Sequence, residues 1–146
     1  MAIPELPSWV STWVTYWRDK LYLHPWTIHL YPELVVANSA TCEAAATNDS
    51  AYYTANIHIR ADIEDTRDWR ETLIHEVLHV AHARIDDVVA QALIDNLPGD
   101  AQPIAKEMYR QALEGFIELT AKSLHSLYLE IEELHATTSA NSTADH

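Results

Sequence analysis

The residues best equipped for chemistry are His75, Glu76 and His79, in the stretch His75-Glu76-Val77-Leu78-His79. On a helix, residues four apart lie one above the other on the same face. Two imidazoles so placed can hold one zinc ion from one side, and the Glu after the first can reach a water activated by that ion. Leu73, Ile74, Val77, Leu78 and Ala81 make the helix broadly apolar, so much of its surface is expected to be buried. Buried imidazoles and a buried carboxylate need partners. A metal is the simplest partner for all three; the alternative is a helix with two surface histidines.

A catalytic zinc takes three protein ligands and keeps one position open. His82 extends the pattern to H-E-x-x-H-x-x-H, but seven residues beyond His75 is about 10 Å further along one continuous helix. Asp86 and Asp87 would need a sharp reversal after Arg84. Glu114, on the next long helix, is the favoured third ligand, because two packed helices can set a Glu opposite the two histidines. Glu118, one turn on, would accept a hydrogen bond from a ligand imidazole and fix its tautomer. Gly115 predicts a close approach of the two helices. The alternative for Glu114 and Glu118 is an ordinary solvated i,i+4 pair.

This arrangement resembles the gluzincin class of zinc metallopeptidases, in particular compact single-domain members. His75, Glu76 and His79 match its motif, and Glu114 with Glu118 matches its downstream element, with Glu118 where Asp is more usual. The resemblance runs from about Tyr52 to Leu127. It implies zinc-dependent peptide hydrolysis, with zinc on His75, His79 and Glu114 and with Glu76 as general base toward a metal-activated water. A second electrophile is needed for the oxyanion; Tyr109, His125, Tyr128 and His82 are all chemically able. The strand from Tyr52 to Arg60 is expected at the sheet edge bordering the cleft, where Ile57-His58-Ile59 would pair with an extended peptide. Deformylases also combine an upstream Cys with H-E-x-x-H, but Ala40-Thr41-Cys42-Glu43-Ala44 departs from their Gly-Cys-Leu-Ser pattern. Cys42 is expected to be a small buried hydrophobe.

The elements that must position these residues follow from local patterns. Ser8 caps a helix to about Leu23, whose Trp9, Trp13 and Trp17 face is expected to pack on the core. Trp26 to Leu30 alternates as a strand closed by Pro32, and Leu34 to Ala37 extends it or starts another. Asn38 to Asn48 reads as a loop or weak strand. Asn48-Asp49-Ser50 suits a turn into the strand Tyr52 to Arg60, giving a hairpin. Asp65 or Thr66 caps the motif helix, which runs to about Arg84, and Asp86 or Asp87 caps a short helix to Asn96. Leu97-Pro98-Gly99-Asp100 breaks the chain. A long helix then runs from Pro103 to about Leu134. The expected fold is α+β: an N-terminal helix, a small antiparallel sheet, the motif helix and a long C-terminal helix. Residues 1–135 form one domain and 136–146 a disordered tail.

Composition bounds the function. The net charge of −13 over 146 residues opposes nucleic-acid and anionic-membrane binding. The single Cys permits no intrachain disulfide, and two Gly leave no Gly-rich phosphate loop. No run suits a signal peptide or a membrane span, so the expected compartment is the cytoplasm. Two imidazoles and a carboxylate suit zinc without excluding iron, nickel or cobalt. The expected partner is a peptide or protein substrate. Two other readings stand beside it: a catalytically inactive zinc-binding module for protein interaction, and a metal-free domain whose acidic surface takes a basic partner.

Overall fold

The computed structural model describes residue 2 and residues 5–33 and 44–143. Cys42 and the segment Leu34 to Ala37 lie outside the described residues. The elements, in order, are α1 (Ser8–Lys20), β1 (Thr27–Glu33), β2 (Ala44–Asp49), β3 (Thr54–Arg60), α2 (Arg67–Val88), a π-helical segment (Val89–Ile94) and α3 (Gln102–Thr143).

Helix α1 buries Val10, Trp13, Val14 and Trp17, the i, i+3, i+4, i+7 stripe of one face. It stops at Lys20, short of the expected Leu23, because Tyr22 turns left-handed at φ 56°. Tyr22 N–H donates to the Asp19 carbonyl and Leu23 N–H to the Arg18 carbonyl, the paired bonds of a Schellman close. That position usually takes Gly; here an exposed Tyr holds it.

The sheet is mixed, in the order β1-β3-β2. The expected hairpin is present, with β2 antiparallel to β3, but β1 runs parallel to β3 and pairs Thr27 with Thr54 through Glu33 with Arg60. The expected all-antiparallel sheet is therefore corrected. Alternation of apolar residues reports which face of a strand is buried and says nothing of neighbour or direction. Pro32 does not close β1 but sits inside it. It is tolerated because β1 is an edge strand, where a missing N–H has a solvent side to face. Ala55, Ile57 and Ile59 are fully buried on one face of β3.

Thr66 caps α2, its hydroxyl accepting from Trp69 N–H at 3.3 Å. Leu73, Ile74, Val77 and Val80 are fully buried, placing α2 at the centre of the core. The helix does not end at Arg84; it continues to Val88 and passes directly into the π-helical segment. Asp86 and Asp87 are not caps. Asp86 accepts from Tyr109 O–H at 2.6 Å, and Asp87 pairs with the Ser50 hydroxyl. Tertiary hydrogen bonds have claimed the side chains that a cap would have used.

The hairpin is fastened along the second half of α2. Asn48 donates to the His79 carbonyl at 3.3 Å, and Arg84 donates to Tyr53 Oη at 2.6 Å. At the other end, Trp13 Nε1–H donates to the Arg70 carbonyl at 3.0 Å. The Arg70 guanidinium lies 4.5 Å from the Trp13 ring and forms a two-point ion pair with Asp65.

Helix α3 packs through Ile117, Ala121 and His125, an i, i+4, i+8 stripe. At 42 residues it is about 63 Å long. It runs through the expected end at Leu134 and the expected disordered tail as far as Thr143. Every residue from Leu129 to Ser142 is exposed, so this stretch carries no core packing. Gly115 does not mark a close helix approach: a Cβ built there meets nothing within 4 Å.

Candidate metal centre

His75 and His79 stand on successive turns of α2, with their Nε2 atoms 3.1 Å apart. From α3, the two Glu114 oxygens lie 3.2 Å from His75 Nε2 and 3.4 Å from His79 Nε2. This is the one group of three such side chains with converging donor atoms among the described residues. For metal–ligand distances near 2.0–2.1 Å, the edges of a tetrahedron are about 3.3–3.4 Å. The His75–His79 and His75–Glu114 separations are close to that edge, while the 3.4 Å approach to His79 is made by the other Glu114 oxygen; with one donor atom from each residue within 4.8 Å of the others, the three could hold a metal ion.

The chemistry of the donors points the same way. His75 Nδ1 faces Glu118 Oε2 at 3.4 Å. A proton on Nδ1, shared with Glu118, leaves the Nε2 lone pair directed at His79 and Glu114. Burial holds the His79 imidazole below its usual range, toward the neutral form that binds metal, while Glu114 acts in the opposite sense. The 3.1 Å Nε2–Nε2 separation can be bridged by a proton on either ring or by a metal ion among the donors.

Glu76 differs from its neighbours in burial. It is only 6% exposed, and the Ala46 backbone N–H of β2 bonds to it. Burial pushes its carboxyl up to about 7; the Ala46 hydrogen bond opposes the shift and Glu114 adds to it. An acid–base group poised near neutrality suits proton transfer at ordinary pH. An open cleft of about 400 Å³ reaches both His75 and Glu76.

The remaining candidates are dispersed. Tyr109 is committed to Asp86, and burial followed by that carboxylate pushes its phenol up to about 12. His125 is 1% exposed, 5.8 Å from the Trp13 ring and 3.4 Å from Glu71. Tyr128 stands edge-on to Trp13 at 4.8 Å, in the seam between α1 and α3. His82 lies against Phe116 at 5.5 Å. Neither Tyr109, His125, Tyr128 nor His82 lines the cleft that reaches His75 and Glu76. The expected substrate strand is also corrected. β3 is central and paired on both sides, so Ile57, His58 and Ile59 offer no free edge. The strand bordering the cleft is β2, through Ala44, while Ala46 bonds to Glu76.

Asp68, Glu71 and Lys122 also line the cleft; in the sequence Asp68 and Glu71 stand only as acidic residues in the N-terminal turns of the motif helix, and nothing singles out Lys122. Glu71 could have been found, since it precedes His75 by four residues and shares its helix face. No protein family matches this chain, and no curated protein and no solved structure matches it.

Proposed function

We propose that this chain is a zinc-dependent peptidase. The observation that carries the reading is the convergence of His75, His79 and Glu114 donor atoms beside the buried carboxyl of Glu76. His75, His79 and Glu114 would hold the ion, and Glu118 would keep His75 in its binding tautomer. Zinc, when bound, brings the pKa of water toward neutrality and polarises a carbonyl. Glu76 takes the proton from the attacking water and passes it to the leaving amine. The Ala46 N–H fixes the Glu76 carboxyl, and Ala44 of β2 lines the cleft where a peptide would lie. The test is hydrolysis of a mixed peptide pool by the zinc-loaded chain, compared with Glu76→Gln at equal zinc content. Cleavage that survives this substitution rules the mechanism out.

One feature favours a zinc-binding interaction module as the second reading. Met108, Phe116 and Leu119 of α3 are 67%, 55% and 69% exposed. Exposed apolar groups that form a contiguous patch mark a contact surface. A zinc-loaded chain that cleaves nothing in the pool would favour this reading.

A further inference from the structure

Helix α3 leaves one long apolar face in solvent. Met108, Phe116, Leu119, Leu127, Ile131 and Leu134 are 41–69% exposed. With exposed Ala112 and Ser123 between them, successive members stand three or four residues apart, the spacing of one helix stripe. From Met108 to Leu134 the stripe runs about 39 Å. The buried residues Ile117, Ala121 and His125 lie on the other side of the helix, toward the core. The far end of the stripe continues into the stretch Leu129 to Ser142, which is exposed throughout. A helical stretch of that length is marginal in water when nothing covers it. The stripe is also symmetric about its own centre. Met108 with Leu134, Ala112 with Ile131, Phe116 with Leu127, and Leu119 with Ser123 are pairs whose midpoints all fall at position 121 or 121.5.

We propose that this face of α3 pairs with the same face of a second copy, antiparallel and centred level with Ala121, to form a two-fold dimer. Two-fold symmetry requires that where residue i meets residue j, j also meets i. The four pairs satisfy that condition in a single register. Two of them set a large side chain against a small one, Ile131 on Ala112 and Leu119 on Ser123, so that the helices can interdigitate. Charge selects the same direction. The net charge of −13 opposes self-association as a whole. A parallel pairing would stack Glu130, Glu132 and Glu133 on their own copies, whereas the antiparallel one sets that turn level with Lys106 and Arg110. Covering the six large side chains on both copies removes on the order of 1,000 Å² from water, the lower limit for a specific interface. The proposal goes beyond the peptidase reading and does not need it. Self-pairing would also account for the exposed groups that favour the interaction-module reading.

The test is sedimentation equilibrium of the full chain over a range of concentrations, with and without zinc. A reversible dimer with a micromolar Kd is expected in both conditions. Leu127→Glu sets a carboxylate against Phe116 of the other copy and should weaken the dimer about tenfold or more. The register is tested by a charge exchange. Met108→Lys and Leu134→Glu should each weaken the dimer when made alone. Made together in one chain, they should restore it to within about threefold of wild type, because each Lys then meets the other copy's Glu. In a parallel dimer the same double variant sets Lys on Lys and Glu on Glu and weakens further. All three substitutions change exposed side chains, so folding, read by circular dichroism, should be unaltered. A chain that stays monomeric up to roughly 1 mM overturns the proposal, whatever else the stripe binds. So does a dimer that Leu127→Glu leaves unmoved, or one that the double variant fails to restore. Loss of all peptidase activity would leave this result untouched, and a monomer would leave the peptidase reading untouched.

Discussion

Two histidine–carboxylate clusters lie along the seam between α2 and α3, and their differences explain their roles. In the first, His75, His79 and Glu114 bring one donor atom each within 4.8 Å of the others, and the two imidazoles are 18% and 20% exposed. In the second, His125 faces one carboxylate, Glu71, at 3.4 Å, and is sealed at 1% exposure between Trp13 and Tyr128. The residue types are the same. The number of converging lone pairs and access to solvent differ. A metal needs several donors at one point and a route in; a lone buried imidazole needs one partner and good packing. The contrast separates a cluster that could hold a metal ion from one packed into the core.

The largest expected effect tests the first cluster. Glu76→Gln should leave zinc content unchanged and lower kcat by about a hundredfold to ten-thousandfold, the range for a lost general base. Equal loss of zinc would move Glu76 from chemistry to metal retention. The two clusters can then be exchanged in one experiment. His75→Ala should abolish zinc binding and, with it, the zinc-induced rise in Tm. That rise should be roughly 5–10 °C at a hundredfold excess over Kd. His125→Ala should keep zinc stoichiometry and lose about 2–4 kcal/mol of stability through the cavity left among the aromatic rings. If His125→Ala lost zinc and His75→Ala kept it, the distinction drawn here would be reversed.

A pH titration of the zinc-free chain sharpens the comparison from the side of Glu76. Its carboxyl is raised from an ordinary 4.5 to about 7 by burial, so the folded chain holds this proton more tightly than the unfolded chain does. The resulting stability is fully present below about pH 4.5 and is lost as pH rises through about 7. Its size is on the order of 3 kcal/mol. Chemical denaturation across this window should show the decline in wild type and a flatter profile in Glu76→Gln; parallel profiles would disprove it.

The smallest effect concerns the spacing of α2 and α3. An added Cβ at Gly115 meets nothing within 4 Å, so Gly115→Ala should stabilise the chain by about 1 kcal/mol through helix propensity, with zinc affinity unchanged. A loss of stability would restore the close approach that the sequence alone predicts.

The α+β class, the main helices and the hairpin were legible in the sequence because each rests on local signals, such as Thr66 as a cap and the Trp13 and Trp17 spacing; the hairpin turn itself falls at Ser50 to Tyr53, with Asn48 and Asp49 inside β2. His75, Glu76 and His79 were legible for the same reason, since i and i+4 on one helix fix their relation without tertiary contacts. Glu114 and Glu118 were legible only as candidates, because their distance from His75 depends on how two helices pack. Where local signals conflicted with long-range bonding, the local reading failed. Asp86 and Asp87 read as caps but are taken by Tyr109 and Ser50. Tyr22 does what a Gly would be expected to do.

Thus the sequence by itself determined the two imidazoles and the carboxyl between them, because a helix repeats at a fixed period and carries its own geometry. Tertiary structure decided the rest. It set Glu114 across from them, buried Glu76 beneath β2 and withdrew His125 and Tyr128 into the seam with α1. It also put β2 rather than β3 at the cleft. These outcomes depend on which surfaces lose water to one another, and that is a property of the packed chain rather than of any segment.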